Sequence, residues 1–156
     1  GDYLLLPEAI ETLKTKLIKH VTIITPNIHE AEALTNISIN SNDDMLRAGE
    51  AILKLGAQGV LVKGGHINGD HCRDLLLTNH ECHWFESPRI DTQNTHGTGC
   101  TLSAAIAVGL ANALTLEQSC AQAKDYITNA LLSFKDEKIG YGHGPVNHFY
   151  KTWTTK

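Results

Sequence analysis

The feature that most constrains the fold is the alternation of short apolar runs with helical patterns. Residues 21–24 (Val-Thr-Ile-Ile) and 59–63 (Gly-Val-Leu-Val-Lys) have the length and β-branched composition of buried strands. Apolar residues at helical spacing over 29–34 and 41–55 separate the two runs, and Ser41-Asn42-Asp43-Asp44 is predicted to cap the second of these helices. Strands that alternate with helices indicate βαβ units and a parallel sheet covered by helices. The sequence therefore predicts an α/β fold.

The remaining pattern adds helices and one hairpin. We predict a helix over 7–19 and a hairpin with strands at 74–78 and 81–86 around an Asn79-His80 turn. A helix from Thr115 to about 134 and a last helical turn around 147–153 follow. Thr115 and Gln118 fit a capping box at the start of their helix. Only two runs are clear parallel strands, fewer than such a sheet normally has. We therefore expect part of the sheet to be missing from this chain.

Composition narrows the class of protein and its partners. With 156 residues, 42% hydrophobic and 19% charged, the chain is predicted to form a single soluble domain over residues 1–156. A net charge of −4 offers no basic field for nucleic acid or anionic lipid, which leaves small molecules as partners. Four cysteines without a C-x-x-C pair indicate reduced thiols and a cytoplasmic location. No apolar run is long enough to predict a membrane span.

A glycine-rich turn leads into an apolar helix at Gly97-Thr98-Gly99-Cys100. A helix N-terminus leaves backbone N–H groups unpaired and carries the positive end of the helix dipole, so glycines there let an anion approach closely. Taken alone, Gly-x-Gly is more often a tight turn and a lone cysteine more often an inert core residue. In this combination the segment predicts an anion site with a thiol inside it, suited to phosphoryl transfer.

Two further polar clusters follow the two predicted strands. Asn27 and Glu30 come after the first, and Lys63, with Gly64 and Gly65, ends the second. Ligands of open α/β sheets bind at the carboxyl ends of the strands, so both clusters are expected at that edge. Lys63 would supply a charge to a triphosphate, and Glu30 with Asn27 could organise Mg²⁺ through its waters.

Four segments carry a family resemblance: Thr25-Pro26-Asn27-x-x-Glu30-Ala31-Glu32, Val60-Leu61-Val62-Lys63-Gly64-Gly65-His66, His96-Gly97-Thr98-Gly99-Cys100-Thr101-Leu102-Ser103-Ala104-Ala105 and Gly142-x-Gly144-Pro145-Val146-Asn147-His148-Phe149. In order and approximate spacing they resemble the hydroxymethylpyrimidine/phosphomethylpyrimidine kinases of thiamine biosynthesis, in the ribokinase-like superfamily. The resemblance implies an α/β/α sandwich with a mostly parallel central sheet, use of ATP and Mg²⁺, and a homodimer. Gly1 aligns with the middle of those enzymes, so this chain resembles their C-terminal, nucleotide-binding and catalytic part.

The resemblance also implies roles for individual residues. Cys100 matches the catalytic base, and Gly97, Thr98 and Gly99, with the Cys100 N–H, match the anion hole. The positions that match the nucleotide and magnesium sites are Lys63, Asn27 and Glu30, and Lys124 is a weaker match to a nucleotide-side lysine. His66 and His96 flank the phosphate region. The sequence departs from the family at His29, where proline is common, and at Gln93, where lysine is common.

Several interpretations stay open. A pyridoxal-type vitamin kinase has the same kind of anion hole, and a truncated kinase could serve as a non-catalytic nucleotide-binding module.

A metal site is a further interpretation, but the pairs His71-Cys72 and Cys82-His83 lack the spacing of a zinc site. Because the pyrimidine contacts are expected to lie mostly outside this chain, the 156 residues alone are predicted to be inactive.

Overall fold

A computed structural model describes residues 7–65 and 69–152. The chain forms two compact units that divide between Glu86 and Ser87. The single domain predicted from the sequence stays a prediction.

The first unit contains a four-stranded sheet with helices. Its elements are α1 (Pro7–Thr12), β1 (Ile23–Ile24), α2 (Ile28–Thr35), α3 (Asn42–Leu53), β2 (Gly59–Lys63), β3 (His71–Thr78) and β4 (Cys82–Pro88), whose last two residues belong to the second unit. The strand order is β1-β2-β3-β4. β1 pairs with β2 in parallel, and β2 pairs with β3 antiparallel, with Lys63 opposite Asp74. The α/β fold is confirmed, and among the described strands the sheet is mixed with one parallel pair.

The core of the first unit lies between α3 and the strands β2 and β3. Val60 and Val62 of β2 are fully buried, as are Met45 and Ile52 of α3. Burial of one such side chain stabilises the fold by about 1.5–3 kcal/mol. Ser41 caps α3 as its sequence predicts, because its hydroxyl oxygen accepts a hydrogen bond from Asp44 N at 3.2 Å. The packing of α3 therefore fixes the position of β2, and with it that of Lys63 at the end of the strand.

The helix expected over 7–19 is helical but is not one α-helix. After α1 the chain forms a π-helical turn (Leu13–Leu17) and a 3₁₀ turn (Ile18–His20). The hydroxyls of Thr12 and Thr15 donate to the carbonyls four residues earlier, at 3.0 and 2.8 Å. Such back-bonding often bends helices. The strand expected at 21–24 is shortened to the two residues of β1.

The hairpin forms with the predicted turn at Asn79-His80. Thr78 N donates to Glu81 O at 2.9 Å, and the Thr78 hydroxyl oxygen accepts hydrogen bonds from the His80 and Glu81 N–H groups. β3 begins at His71, three residues before its predicted start. Those three residues lack the apolar character of residues 75–77, which explains why the sequence pattern did not include them.

The second unit contains a pair of packed helices, α4 (Thr98–Ala111) and α5 (Leu116–Leu132). The predicted capping box of α5 is present, with Gln118 N donating to Thr115 Oγ1 and Thr115 N to Gln118 Oε1, both at 3.1 Å. In place of the predicted last helical turn, residues 147–152 form isolated turns. None of the described helices is long and apolar enough to span a bilayer. No disulfide joins the four cysteines.

Candidate active site

The loop before α4 turns sharply at Gly97. This residue is the N-cap of α4 with φ of +83°, a left-handed conformation that glycine adopts without steric penalty. An added Cβ would meet no atom within 4 Å among residues 7–65 and 69–152, so the backbone conformation, and not crowding, calls for glycine here. Gly97 has no side chain to cap the helix, which leaves its first N–H groups available to another acceptor.

The first turn of α4 offers two backbone donors to an anion. Thr98 N donates to Thr95 O at 3.3 Å, and Thr101 N donates to Gly97 O at 2.9 Å. Between them, the N–H groups of Gly99 and Cys100 have no acceptor among the described residues. No acidic residue lies in the first turn, and the whole of α4 is free of charged side chains. The positive end of the helix dipole and these two donors lie together at the start of α4, and their use as an anion hole stays a prediction.

Cys100 lies in that first turn with an exposed side chain. Its thiol borders an open groove of about 1250 Å³ that runs along α4 and α5. The groove is also lined by Thr101, Tyr126 and His148. His148 Nε2 lies 3.0 Å from Thr101 Oγ1, and the Tyr126 hydroxyl donates to His148 O at 2.8 Å. The thiol is therefore accessible from a groove whose wall is held by hydrogen bonds.

Lys124 lies on α5 and does not line this groove, although its neighbours Ala123 and Asp125 do. Its predicted contact with nucleotide stays a prediction.

In the first unit, Asn27 and Glu30 form a reciprocal capping box at the start of α2. Asn27 Oδ1 accepts from Glu30 N at 2.9 Å, and Glu30 Oε2 accepts from Asn27 N at 2.7 Å. The capping box gives these two residues a structural reason to occur three apart. The Glu30 side chain is still 51% exposed, which leaves its carboxylate within reach of solvent and solutes.

Lys63, the last residue of β2, lies next to Asn27 and Glu30. Its Nζ donates to Thr25 O at 2.7 Å and lies 4.0 Å from Glu30 Oε2. The main chain of Lys63 pairs with Asn27 in an isolated parallel bridge, and Lys63 N donates to Pro26 O at 2.8 Å. The Lys63 side chain is 20% exposed, and its hydrogen bond to Thr25 O holds the ammonium group beside Glu30. The structure thus brings Asn27, Glu30 and Lys63 together, as predicted from the parallel strands.

The two glycines after Lys63 differ in role. A Cβ on Gly64 would lie 2.0 Å from Arg73 O, so glycine is needed there for close packing on β3. Gly64 N donates to the buried Asp74 carboxylate at 3.0 Å, which ties the end of β2 to β3. A Cβ on Gly65 would meet no atom of the described residues within 4 Å. His66 lies outside the described residues, and His96 is exposed in the loop that enters α4.

Sequence reasoning missed three buried or bridging polar residues. Asp74 is 6% exposed and holds Gly64, while Asn94 is 3% exposed and holds the loop before α4. His148 contacts Thr101 at the groove. Asn94 begins the glycine-rich segment and His148 lies in the Gly144-Pro145 segment, so both could have been singled out, but their partners are 40 or more residues away. Among the described residues no three His, Cys, Asp or Glu side chains are placed to hold a metal ion.

Comparison with known proteins identifies the relatives of this chain. The profile described as phosphomethylpyrimidine kinase matches residues 1–147. A hydroxymethylpyrimidine/phosphomethylpyrimidine kinase of Rhizobium meliloti is 42% identical over 154 residues, which cover 98% of this chain and 58% of that protein. The chain therefore spans little more than half the length of that relative.

Solved structures agree with this result. The pyridoxal kinase of Staphylococcus aureus in complex with AMP-PCP superposes with a TM-score of 0.89 at 30% identity, over 97% of this chain and 56% of that one. The phosphomethylpyrimidine kinase of Clostridium difficile superposes with a TM-score of 0.71 at 44% identity, over 84% of this chain and 52% of that one. Sequence and structure thus point to small-molecule kinases that use ATP.

Proposed function

The chain belongs to the phosphomethylpyrimidine kinase family, and from that premise we propose that the complete protein phosphorylates 4-amino-5-hydroxymethyl-2-methylpyrimidine and its monophosphate with ATP in thiamine biosynthesis. The observation that carries the proposal is the first turn of α4, where the N–H groups of Gly99 and Cys100 have no acceptor in the part of the chain that the structure describes and lie beside an exposed thiol. This combination of anion donors and a proton acceptor suits the transfer of a phosphoryl group to a hydroxyl.

In the proposed reaction, α4 stabilises the charge of the transferring group. Gly97 sets the turn, and Thr98, Gly99 and Cys100 surround the γ-phosphoryl group with the positive end of the helix. The substrate hydroxyl oxygen forms the new bond to phosphorus while the bond to the β-phosphate oxygen breaks. Cys100 accepts the hydroxyl proton and forms no covalent intermediate, because phosphoryl transfer depends mainly on positioning and charge stabilisation.

The cluster at the end of β2 is proposed to serve the nucleotide. Lys63 would neutralise phosphate charge, in a position already fixed by Thr25 O and Glu30. Mg²⁺ usually keeps several waters and takes few protein ligands. The exposed Glu30 carboxylate, next to Asn27, suits contact with such waters, and the ion would screen the phosphates when bound. Lys124 is retained as a nucleotide-side residue on the resemblance alone.

We propose that the part of the relatives' length not spanned here supplies the pyrimidine contacts, so that the 156 residues alone are inactive and a homodimer forms with that part present. Two surfaces support this. β1 is a two-residue strand at the end of the order of the described strands, and a further strand could pair with its outer edge. In the second unit, α4 has no charged residue and Val108 is 61% exposed, as expected of a helix that packs on both sides.

Pyridoxal is the second candidate substrate. Its support is the superposition on pyridoxal kinase of Staphylococcus aureus, including a complex with AMP-PCP and pyridoxal, at a TM-score of 0.89. We favour the pyrimidine because identity to the relatives named as pyrimidine kinases is 42%, against 30% to that pyridoxal kinase.

The base assignment is tested with Cys100→Ala in the complete kinase. Turnover should fall by at least about 100-fold, the range of general-base effects, while the dissociation constant of ATP changes little. Cys82→Ala, which removes another exposed thiol, is the matched control and should keep full turnover. Full activity of Cys100→Ala would refute the assignment.

Calorimetry on the 156-residue chain tests the alternative of an autonomous nucleotide module. If the chain binds no ATP by itself, that alternative fails, and the nucleotide site requires the rest of the kinase.

A further inference from the structure

The loop that enters α4 is tied down within the second unit by polar contacts on two sides. On one side, Thr92 and Asn94 donate side-chain hydrogen bonds to the segment that follows α5. On the other, His96 N donates to Gly144 O at 3.0 Å, and His96 pairs with Pro145 in a parallel bridge. The stretch 92–96 is therefore fixed immediately before Gly97, where the anion hole begins.

Asn94 lies at the centre of these contacts. Its side-chain Nδ2 donates to Phe134 O at 2.6 Å and to Glu137 O at 2.7 Å, so both amide hydrogens are used. The residue is 3% exposed. Because both partners are carbonyl acceptors, the amide group that faces them must be the nitrogen. An aspartate at position 94 would place a carboxylate against two carbonyl oxygens, with no proton to donate. The site is therefore specific for an amide.

Gly144 packs directly on the other end of that amide. A Cβ at Gly144 would lie 1.8 Å from Asn94 Oδ1 and 2.9 Å from Asn94 Cγ. Gly144 itself is buried, and its carbonyl holds His96 N. Asn94 cannot move away from an added methyl group without losing its two hydrogen bonds to the segment after α5. The buried Asn94 amide therefore requires a glycine at position 144.

We infer that Asn94, seated against Gly144, is a positioning residue for phosphoryl transfer. It sets the path of residues 95–97 and so aims the Gly99 and Cys100 N–H groups at the transferring phosphoryl group. Asn94 itself touches no reacting atom. The inference rests on the proposed kinase function, and its structural part can be measured separately. Misplacement of a catalytic constellation by about 1 Å can lower a rate by about 100-fold.

The kinetic test uses Asn94→Ala, Gly144→Ala and the double variant in the complete kinase. Each single variant should lower kcat by about 100-fold and change the KM for the pyrimidine by less than about threefold, because donors that act in the transition state raise kcat and not substrate affinity. In the Asn94→Ala background, Gly144→Ala should add less than about threefold, since the oxygen that its Cβ would meet is gone. Asn94→Asp should not restore kcat.

Asn112→Ala is the matched control. The Asn112 amide also donates to a backbone carbonyl, Val108 O at 2.9 Å, but at the opposite end of α4. This variant should keep kcat within about twofold of the unsubstituted enzyme, because its lost bond is far from the anion hole. An Asn94→Ala enzyme with normal kcat, or single-variant effects that multiply in the double variant, would overturn the inference.

A second measurement is independent of activity. Amide hydrogen exchange of Thr101, whose N–H bonds Gly97 O at 2.9 Å, reports the order of the first turn of α4. In the 156-residue chain, Asn94→Ala and Gly144→Ala should accelerate this exchange by at least about tenfold, and Asn112→Ala should not. Unchanged exchange in Asn94→Ala would refute the positioning role even if the kinase is active. Faster exchange in an enzyme without kinase activity would refute the proposed function and leave the positioning of this loop supported.

Discussion

Ser119→Ala should stabilise the second unit, although it removes a polar group from α5. Ser119 is completely buried where α5 passes Gly109 of α4, and its hydroxyl has no hydrogen-bond partner among the described residues. A buried hydroxyl left unsatisfied costs about 1–3 kcal/mol. Alanine is also the better helix former, by about 0.5 kcal/mol. The only loss is the dispersion contact of one oxygen atom, so the net gain is about 1–2 kcal/mol.

Urea unfolding of the 156-residue chain, followed by far-UV circular dichroism, measures this gain. The free energy of unfolding should increase, and in a thermal melt each kcal/mol of this increase corresponds to a rise of about 2–4 °C in melting temperature. Ser133→Ala is the control, because the exposed Ser133 hydroxyl donates to Ala130 O at 3.0 Å, and its loss should change stability by less than about 0.5 kcal/mol. If Ser119→Ala lowers stability below that of the control, the Ser119 hydroxyl makes a favourable interaction and the reasoning fails.

Three further predictions concern local features. Gly109→Ala should lower the free energy of unfolding in urea by about 1–2 kcal/mol, because the added Cβ would lie 2.7 Å from Ser119 Oγ. The loss should be smaller in the Ser119→Ala background, and equal losses in both backgrounds would contradict the contact. Thr115→Ala should lower stability by about 1 kcal/mol through loss of the α5 cap, and no loss would show the cap to be unimportant. The hydrogen bond from Asn40 N, followed by the contacts with Arg47 and Ser41, lowers the pKa of Asp44 to about 2. The ionised Asp44 carboxylate therefore stabilises the fold above pH 3.8, and this contribution disappears as the pH falls towards 2. A carboxyl NMR titration of Asp44 with a midpoint near 3.8 would refute this.

Features set by neighbouring residues could be predicted from the sequence. β2 has the predicted bounds, and the caps at Ser41 and Thr115 are as predicted, because a cap needs only the residues of one turn. The π-helical turn after α1 was not predicted, since the apolar spacing there is the same for an α-helix. The early start of β3 was also missed, because residues 71–73 lie beyond the stretch paired with β2 and lack the apolar character of residues 75–77.

The site shows the same division between local and distant determinants. Asn27, Glu30 and Lys63 could be placed together because parallel strands end at one edge, and the N-terminus of α4 was evident from Gly97 onward. The roles of Asp74 and Asn94 depend on partners from other segments, which no local pattern reveals. Asn27 and Glu30 also cap α2, so their spacing alone does not separate a structural role from a binding role.

The central claim is that this chain carries the phosphoryl-transfer site of a hydroxymethylpyrimidine kinase. The most direct measurement supplies the complete protein with Mg·ATP and, in parallel, 4-amino-5-hydroxymethyl-2-methylpyrimidine, its monophosphate and pyridoxal, and follows new phosphate esters by ³¹P NMR. We predict that the pyrimidine and its monophosphate are both phosphorylated, with a higher kcat/KM for the pyrimidine than for pyridoxal, and that Cys100→Ala abolishes most of this turnover. A preference for pyridoxal, or no phosphate ester with any of the three, would contradict the account.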